Sequence, residues 1–232
     1  RSERSCSARA TISLPVPLSP WTSTLLRPGA TFRTSASSSR MAAICRGSNA
    51  PPENLVPGSL VFQKTQGPVD LRYMNQWWVW TPGAYWQRPE GPGSSIHRRK
   101  HHPVVHVAYE DVVTYAMWAG KVLPTEAEWE FAARGHDALI YPLGNEYDIH
   151  KVTLNKISPA PVGQVPEGVS WVGALDMSGG ISEWVADWYG PYSAEEQIDP
   201  AGPESGTMRI TRGGNWFAHA AFYVRSTSRE AL

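Results

Sequence analysis

Cysteine is almost missing from this chain of 232 residues: it has two, Cys6 and Cys45, both near the start. That excludes a disulfide-dense scaffold and points to no redox compartment. Neither sign of charge is in excess, with 21 Lys and Arg against 21 Asp and Glu, so no net field recruits nucleic acid or an anionic membrane. No apolar run approaches the ~20 residues of a membrane-spanning helix. What is plentiful is Gly (20), Pro (20) and Trp (11). Gly and Pro interrupt long elements, so a turn-rich fold with short strands and few helices is expected. The indoles must then supply much of the core.

Residues 1–50 are rich in Arg, Ser, Thr and Pro, with Glu3 their only acid, and show no sustained period. They read as a disordered tail. Their composition weakly resembles an organelle transit peptide and suits equally a leader not native to the domain. The compartment stays open. The first residue is Arg1, not Met, and the last strand candidate ends close to Leu232. A domain over 51–232 that is truncated at its ends is therefore expected.

The clearest local structure lies at 106–135. Val112, Val113, Ala116 and Met117 mark one face of a helix that Gly120 closes. Pro124 bars continuation, and Thr125-x-x-Glu128 is a capping box opening a second helix. Ala127, Trp129, Phe131, Ala132 and Ala133 are its expected buried surface, and Arg134-Gly135 its end. Strands are expected at 60–62, 104–107, 208–211 and 222–229. The segment around Trp77, Trp78, Trp80 and Trp86 reads as a meander packed on the body, or as an aromatic groove for peptide or sugar.

His97, His101, His102 and His106 invite a metal reading, but Arg98, Arg99 and Lys100 crowd the same loop and would repel a cation. A solvated basic turn is expected there. Asp176, Glu183 and Asp187 fall together in the stretch 171–192. Paired carboxylates suit glycoside hydrolysis or an oxygen-liganded cation such as calcium, with backbone carbonyls at the Gly179-Gly180 turn completing the site.

Several motifs follow in one order: GPGSSI (91–96), HPVVHVAYEDVVTYAMWAGKVLPTEAEWEFAARG (102–135), YPLGNE (141–146), PVGQVPEG (161–168), GALDMSGGISEWVADWY (173–189), GP-SG (202–206) and RITRGGNW (209–216). The series resembles the formylglycine-generating enzyme family, also called sulfatase-modifying factors. The resemblance implies an α+β fold, a single domain related to the C-type lectin fold, with little regular structure, two packed helices and short antiparallel strands. It implies oxidation of a sulfatase cysteine to formylglycine with dioxygen, at a pair of thiolates that hold copper. Thiolates suit copper(I) where harder ligands do not. Those cysteines would fall at 217–229, which contains none. Aligning on Arg225 and Arg229 puts Ser226 where the second would stand, and the first near Ala220 or Ala221 or in a two-residue deletion. Catalysis by the family route is therefore not expected.

The resemblance further implies calcium, with Asn155 at one site and Gly180, Ile181 and Glu183 at another, where Gly180 replaces the family's Asn. It implies a substrate groove near Trp216, His219, Tyr223, Arg225 and Ser226, suited to a protein or peptide partner such as a sulfatase segment. A non-catalytic peptide-binding module of the same fold is the alternative. A nonheme-iron sulfoxide synthase domain is a second alternative, but it needs a helical His cluster that 1–100 does not offer.

Overall fold

The structure is a computed structural model that describes residues 57–70, 72–154, 158–218 and 220–232. The tail over 1–50, with both cysteines, lies outside these residues, as do Asn155 and His219.

The two helices form where the sequence places them. Helix α1 is Tyr109–Trp118. Gly120, at φ 67°, closes it: its N–H donates to Met117 O (3.0 Å) and the N–H of Lys121 to Ala116 O (2.8 Å). This 5→2 and 6→1 pairing satisfies carbonyls the helix cannot pair itself. Val112 and Ala116, four residues apart, are its buried stripe. Met117 is 70% exposed, against expectation, because it sits a further 100° round the axis. Helix α2 is Glu126–Arg134, and the capping box is complete: Thr125 Oγ1 accepts from Glu128 N (3.1 Å) and Glu128 Oε2 from Thr125 N (2.8 Å). Trp129 and Ala133 face the main core beside Met177, Val185 and Ile210. Phe131, expected inside, lies outside and meets Trp171 edge-on at 5.1 Å.

The strands depart further from the sequence reading. Strand β1 (Gly58–Phe62) pairs antiparallel with β2 (Trp78–Pro82). The supposed meander is thus partly a strand, because Trp78, Val79 and Trp80 each find a cross-strand partner in Phe62, Val61 and Leu60. A second sheet has the order β3 (Glu183–Trp188), β4 (Arg209–Arg212), β5 (Arg229–Ala231), all antiparallel. The expected strand over 222–229 is instead a 3-10 turn at Ala221–Val224, and only Arg229 belongs to the last strand. No strand runs over 104–107 either, since His106 sits at φ 55°, outside the extended region.

Two smaller cores flank the main one. Tyr141, Val152, Leu154, Ala218 and Val224 form one; Val112, Leu123 and Trp184 form the other, tying α1 to β3. No helix among the described residues is long and apolar enough to cross a membrane.

Candidate functional site

Strand β3 begins with its most unusual side chain. Glu183 is fully buried between α2 and β4. Its Oε2 accepts from Trp129 Nε1 at 2.6 Å, while Oε1 is buried with no partner. Burial, with the negative field of Asp176 adding to it, pushes the carboxyl up to about 8 despite the indole bond. Asp176 stands one turn upstream at φ 61°, half-buried. Its Oδ2 accepts from Gly163 N at 2.7 Å, and burial raises its carboxyl as well. The third acid of the sequence trio is elsewhere. Asp187 Oδ2 accepts from Glu126 N at 2.7 Å, where a negative charge complements the start of α2. The three acids therefore split into one interacting pair and one helix cap.

A hard cation would offset the burial that raises both carboxyls. A carboxylate with one oxygen orphaned in the interior is stabilised by a positive charge beside it. Just before Glu183 in the chain, Gly179 and Gly180 both sit in the left-handed region, at φ 87° and 77°. This backbone can turn carbonyls inward as oxygen ligands, and calcium accepts such mixed oxygen sets. Gly180 O already accepts from Trp216 N at 2.7 Å, and Ile181 buries its side chain. Gly180, Ile181 and Glu183 are neighbours in sequence, and Asp176 acts on Glu183 electrostatically; the other calcium candidate, Asn155, lies outside the described residues.

Copper is different. The described residues contain no Cys at all, and the sequence has none after Cys45. Ser226, set at a family cysteine position, is fully buried, and its Oγ has no partner. Its backbone is clamped: its N–H donates to Ile140 O (2.8 Å) and its carbonyl accepts from Arg212 Nη2 (2.6 Å). A neutral hydroxyl is no substitute for a thiolate on copper(I), so this donor set does not fit copper. Among the described residues no group of three or more His, Cys, Asp or Glu side chains could hold a metal ion.

Of the groove residues named from sequence, Trp216 is buried in a ring cluster, 5.4 Å from Phe62 and 5.7 Å from Phe217. Tyr223 is half-buried against Phe222 at 4.0 Å, and Arg225 is exposed. His219 lies outside the described residues. Tyr223 and Arg225, with the neighbouring exposed rings of Phe217 and Phe222, are what this region offers to a partner. A cleft of about 840 Å³ lies elsewhere, along α2 and the loop 190–203, and none of these groove residues lines it.

Sequence reading missed Arg212. It is fully buried, bridges Glu126 Oε1 (3.1 Å) and Glu130 Oε2 (2.5 Å) on α2, and donates to the carbonyls of Ser226 and Thr227. Its guanidinium lies 5.1 Å over the Trp129 ring. The planar fork suits such multiple acceptors as a lysine would not. The only signal in the sequence was its place at the head of the Arg-Gly-Gly motif, since its partners are 82 and 86 residues away.

Comparison with known proteins agrees with the motif series. The model of the sulfatase-modifying factor enzyme 1-like domain matches residues 30–231. The formylglycine-generating enzyme of Thermomonospora curvata is 45% identical over 172 residues, covering 64% of this chain and 56% of that enzyme. The one from Streptomyces coelicolor is 34% identical over 226 residues, covering 86% of this chain and 71% of that enzyme. A mouse protein named inactive C-alpha-formylglycine-generating enzyme 2 is 38% identical over 177 residues, covering 68% of this chain and 53% of that protein. The chain thus spans little more than half of two of these three relatives.

Proposed function

Because the chain belongs to the sulfatase-modifying factor family, we propose that it binds an extended, cysteine-containing segment of a sulfatase-type protein and does not oxidise it. The observation that carries this reading is the lack of any thiol after Cys45, including the interval 217–229 where the family's copper ligands are expected. The relatives divide in the same way, some named for the activity and some named inactive. The exposed aromatic and arginine character around Phe217, Phe222, Tyr223 and Arg225 supports peptide binding.

In this reading calcium is structural. Glu183, Asp176 and carbonyls of the 179–181 turn would hold it, and it would neutralise a carboxyl that the interior otherwise keeps protonated. Trp129 fixes the carboxylate through its indole N–H. Arg212 ties the same helix to the Ser226–Thr227 backbone.

The test is a fluorescently labelled sulfatase-motif peptide bearing one cysteine, mixed with the protein in air with copper(I) and a reductant. Saturable binding with an unchanged peptide mass is expected. Conversion of the thiol to an aldehyde supports the oxidase reading, which the names of several relatives favour, and overturns this one. No binding leaves neither reading standing.

A further inference from the structure

The stretch from Ser205 to Arg229 contains no acid, and it holds four arginines. Three of them are spent inside the fold. Arg209 is sandwiched between the Trp188 ring at 3.4 Å and the Tyr109 ring at 4.2 Å. Arg212 is buried on Glu126 and Glu130, and Arg229 pairs with Glu126 at 2.9 Å. Arg225 alone is exposed and forms no ion pair among the described residues.

Arg225 is also held in a fixed frame. It is the C-terminal cap of the 3-10 turn Ala221–Val224, three residues after Phe222. Side chains three apart leave such a turn on the same edge, so Phe222 and Arg225 project from one side of it. Phe222 is 52% exposed, with the Tyr223 ring beside it. The backbone beneath is pinned from four directions. Ser178 Oγ donates to Val224 O (2.9 Å), Ser226 N to Ile140 O (2.8 Å), Arg212 Nη2 to Ser226 O (2.6 Å), and Ser228 Oγ to Phe222 O. An exposed aromatic and a free cation on a rigid turn bind with little ordering cost, and aromatics with Arg are the side chains that dominate interfaces.

We propose that this turn is the recognition edge of the site, and that it selects a peptide carrying a carboxylate next to an aromatic or large apolar residue. This rests on the peptide-binding reading above. Phe222 and Tyr223 supply the apolar contact, and the free guanidinium of Arg225 takes the carboxylate as a charge-assisted pair. Arg225 has no acidic partner among the described residues, so a partner's carboxylate displaces no internal one.

The probe is a set of three fluorescein-labelled decapeptides that share one cysteine and one phenylalanine. They differ at the residue beside the phenylalanine, which is Asp, Asn or Lys. Fluorescence anisotropy should rank them Asp, Asn, Lys, with about tenfold between the first and last, and less in high salt. Arg225→Glu should reverse that order, and Phe222→Ala should weaken all three alike. Thermal melting checks that both variants fold, which the exposure of the two side chains favours. If the wild type binds the Asn peptide but shows no preference for Asp over Lys, the recognition edge is wrong while peptide binding stands. If it binds none of the three but binds the sulfatase-motif peptide, the recognition edge is wrong; if that peptide also fails to bind, the peptide-binding reading itself fails.

Discussion

Glu183 is the residue on which the interior chemistry turns. Its carboxyl is raised from 4.5 to about 8 by burial, so in the absence of a cation the folded state favours the protonated form. The stability this contributes is fully present below pH ~4.5 and is lost as pH rises through about 8, at up to ~1.4 kcal/mol per pH unit between the two values. Thermal melts in chelator should therefore fall steadily from pH 5 to 8 for the wild type. Glu183→Gln, which keeps an acceptor for Trp129 and cannot ionise, should flatten that slope. Calcium should restore the wild type at pH 8 and leave the Gln variant unmoved. A wild type that melts alike with calcium and with chelator at pH 8 would show that no cation sits there. Arg212 behaves differently, because its loss strands charges that it now neutralises. Arg212→Met should cost about 3–5 kcal/mol in chemical denaturation, the scale for a buried ion pair stripped of one partner. A loss below ~1 kcal/mol would mean that water reaches Glu126 and Glu130 and solvates them.

At the scale of elements, α2 is the piece on which the rest is hung. Its first turn is satisfied twice, by the Thr125–Glu128 box and by Asp187 reaching back from β3. Thr125→Ala should cost about 1 kcal/mol, and Asp187→Ala should add to it, since the two caps serve different N–H groups. Urea melts of the single and double variants check this; a double variant no worse than either single would mean that the two caps act as one coupled unit. Gly214 joins β4 to the C-terminal turn at φ 70°, and a Cβ there would stand 2.7 Å from Tyr223 O. Gly214→Ala should displace the Ala221–Val224 turn as well as destabilise the fold, so peptide binding should fall more than the melting temperature alone explains. This is also the scale at which the sequence was read best and worst. The capping box and the Gly120 closure are local chemistry, and both were legible. The Phe222–Arg229 segment was not, because Phe222, Val224 and Ser226 alternate as strand residues do. The 3-10 turn exists because Ser178, Ile140 and Arg212, all distant in sequence, take its carbonyl and amide groups. Strand β2 was hidden for the opposite reason: Trp-Val-Trp among Pro and Gly has no alternation to read, and only its pairing with β1 makes it a strand.

At the scale of the molecule, one sequence fact and one structural fact bear on function together. The motif series placed the chain in its family, and the missing thiols were visible in the sequence alone. The buried Arg212 web and the coupling of Asp176 to Glu183 were not, because each joins residues from separate elements. The proposal is of a family member that binds peptide and lacks the thiols of the family's redox centre. It is tested most directly by mass spectrometry of a cysteine-bearing sulfatase-motif peptide after aerobic incubation with the protein, copper(I) and a reductant. Anisotropy on the same sample reads binding. The account predicts a bound peptide whose thiol is unchanged. An aldehyde in place of the thiol, formed in step with protein concentration, would contradict it.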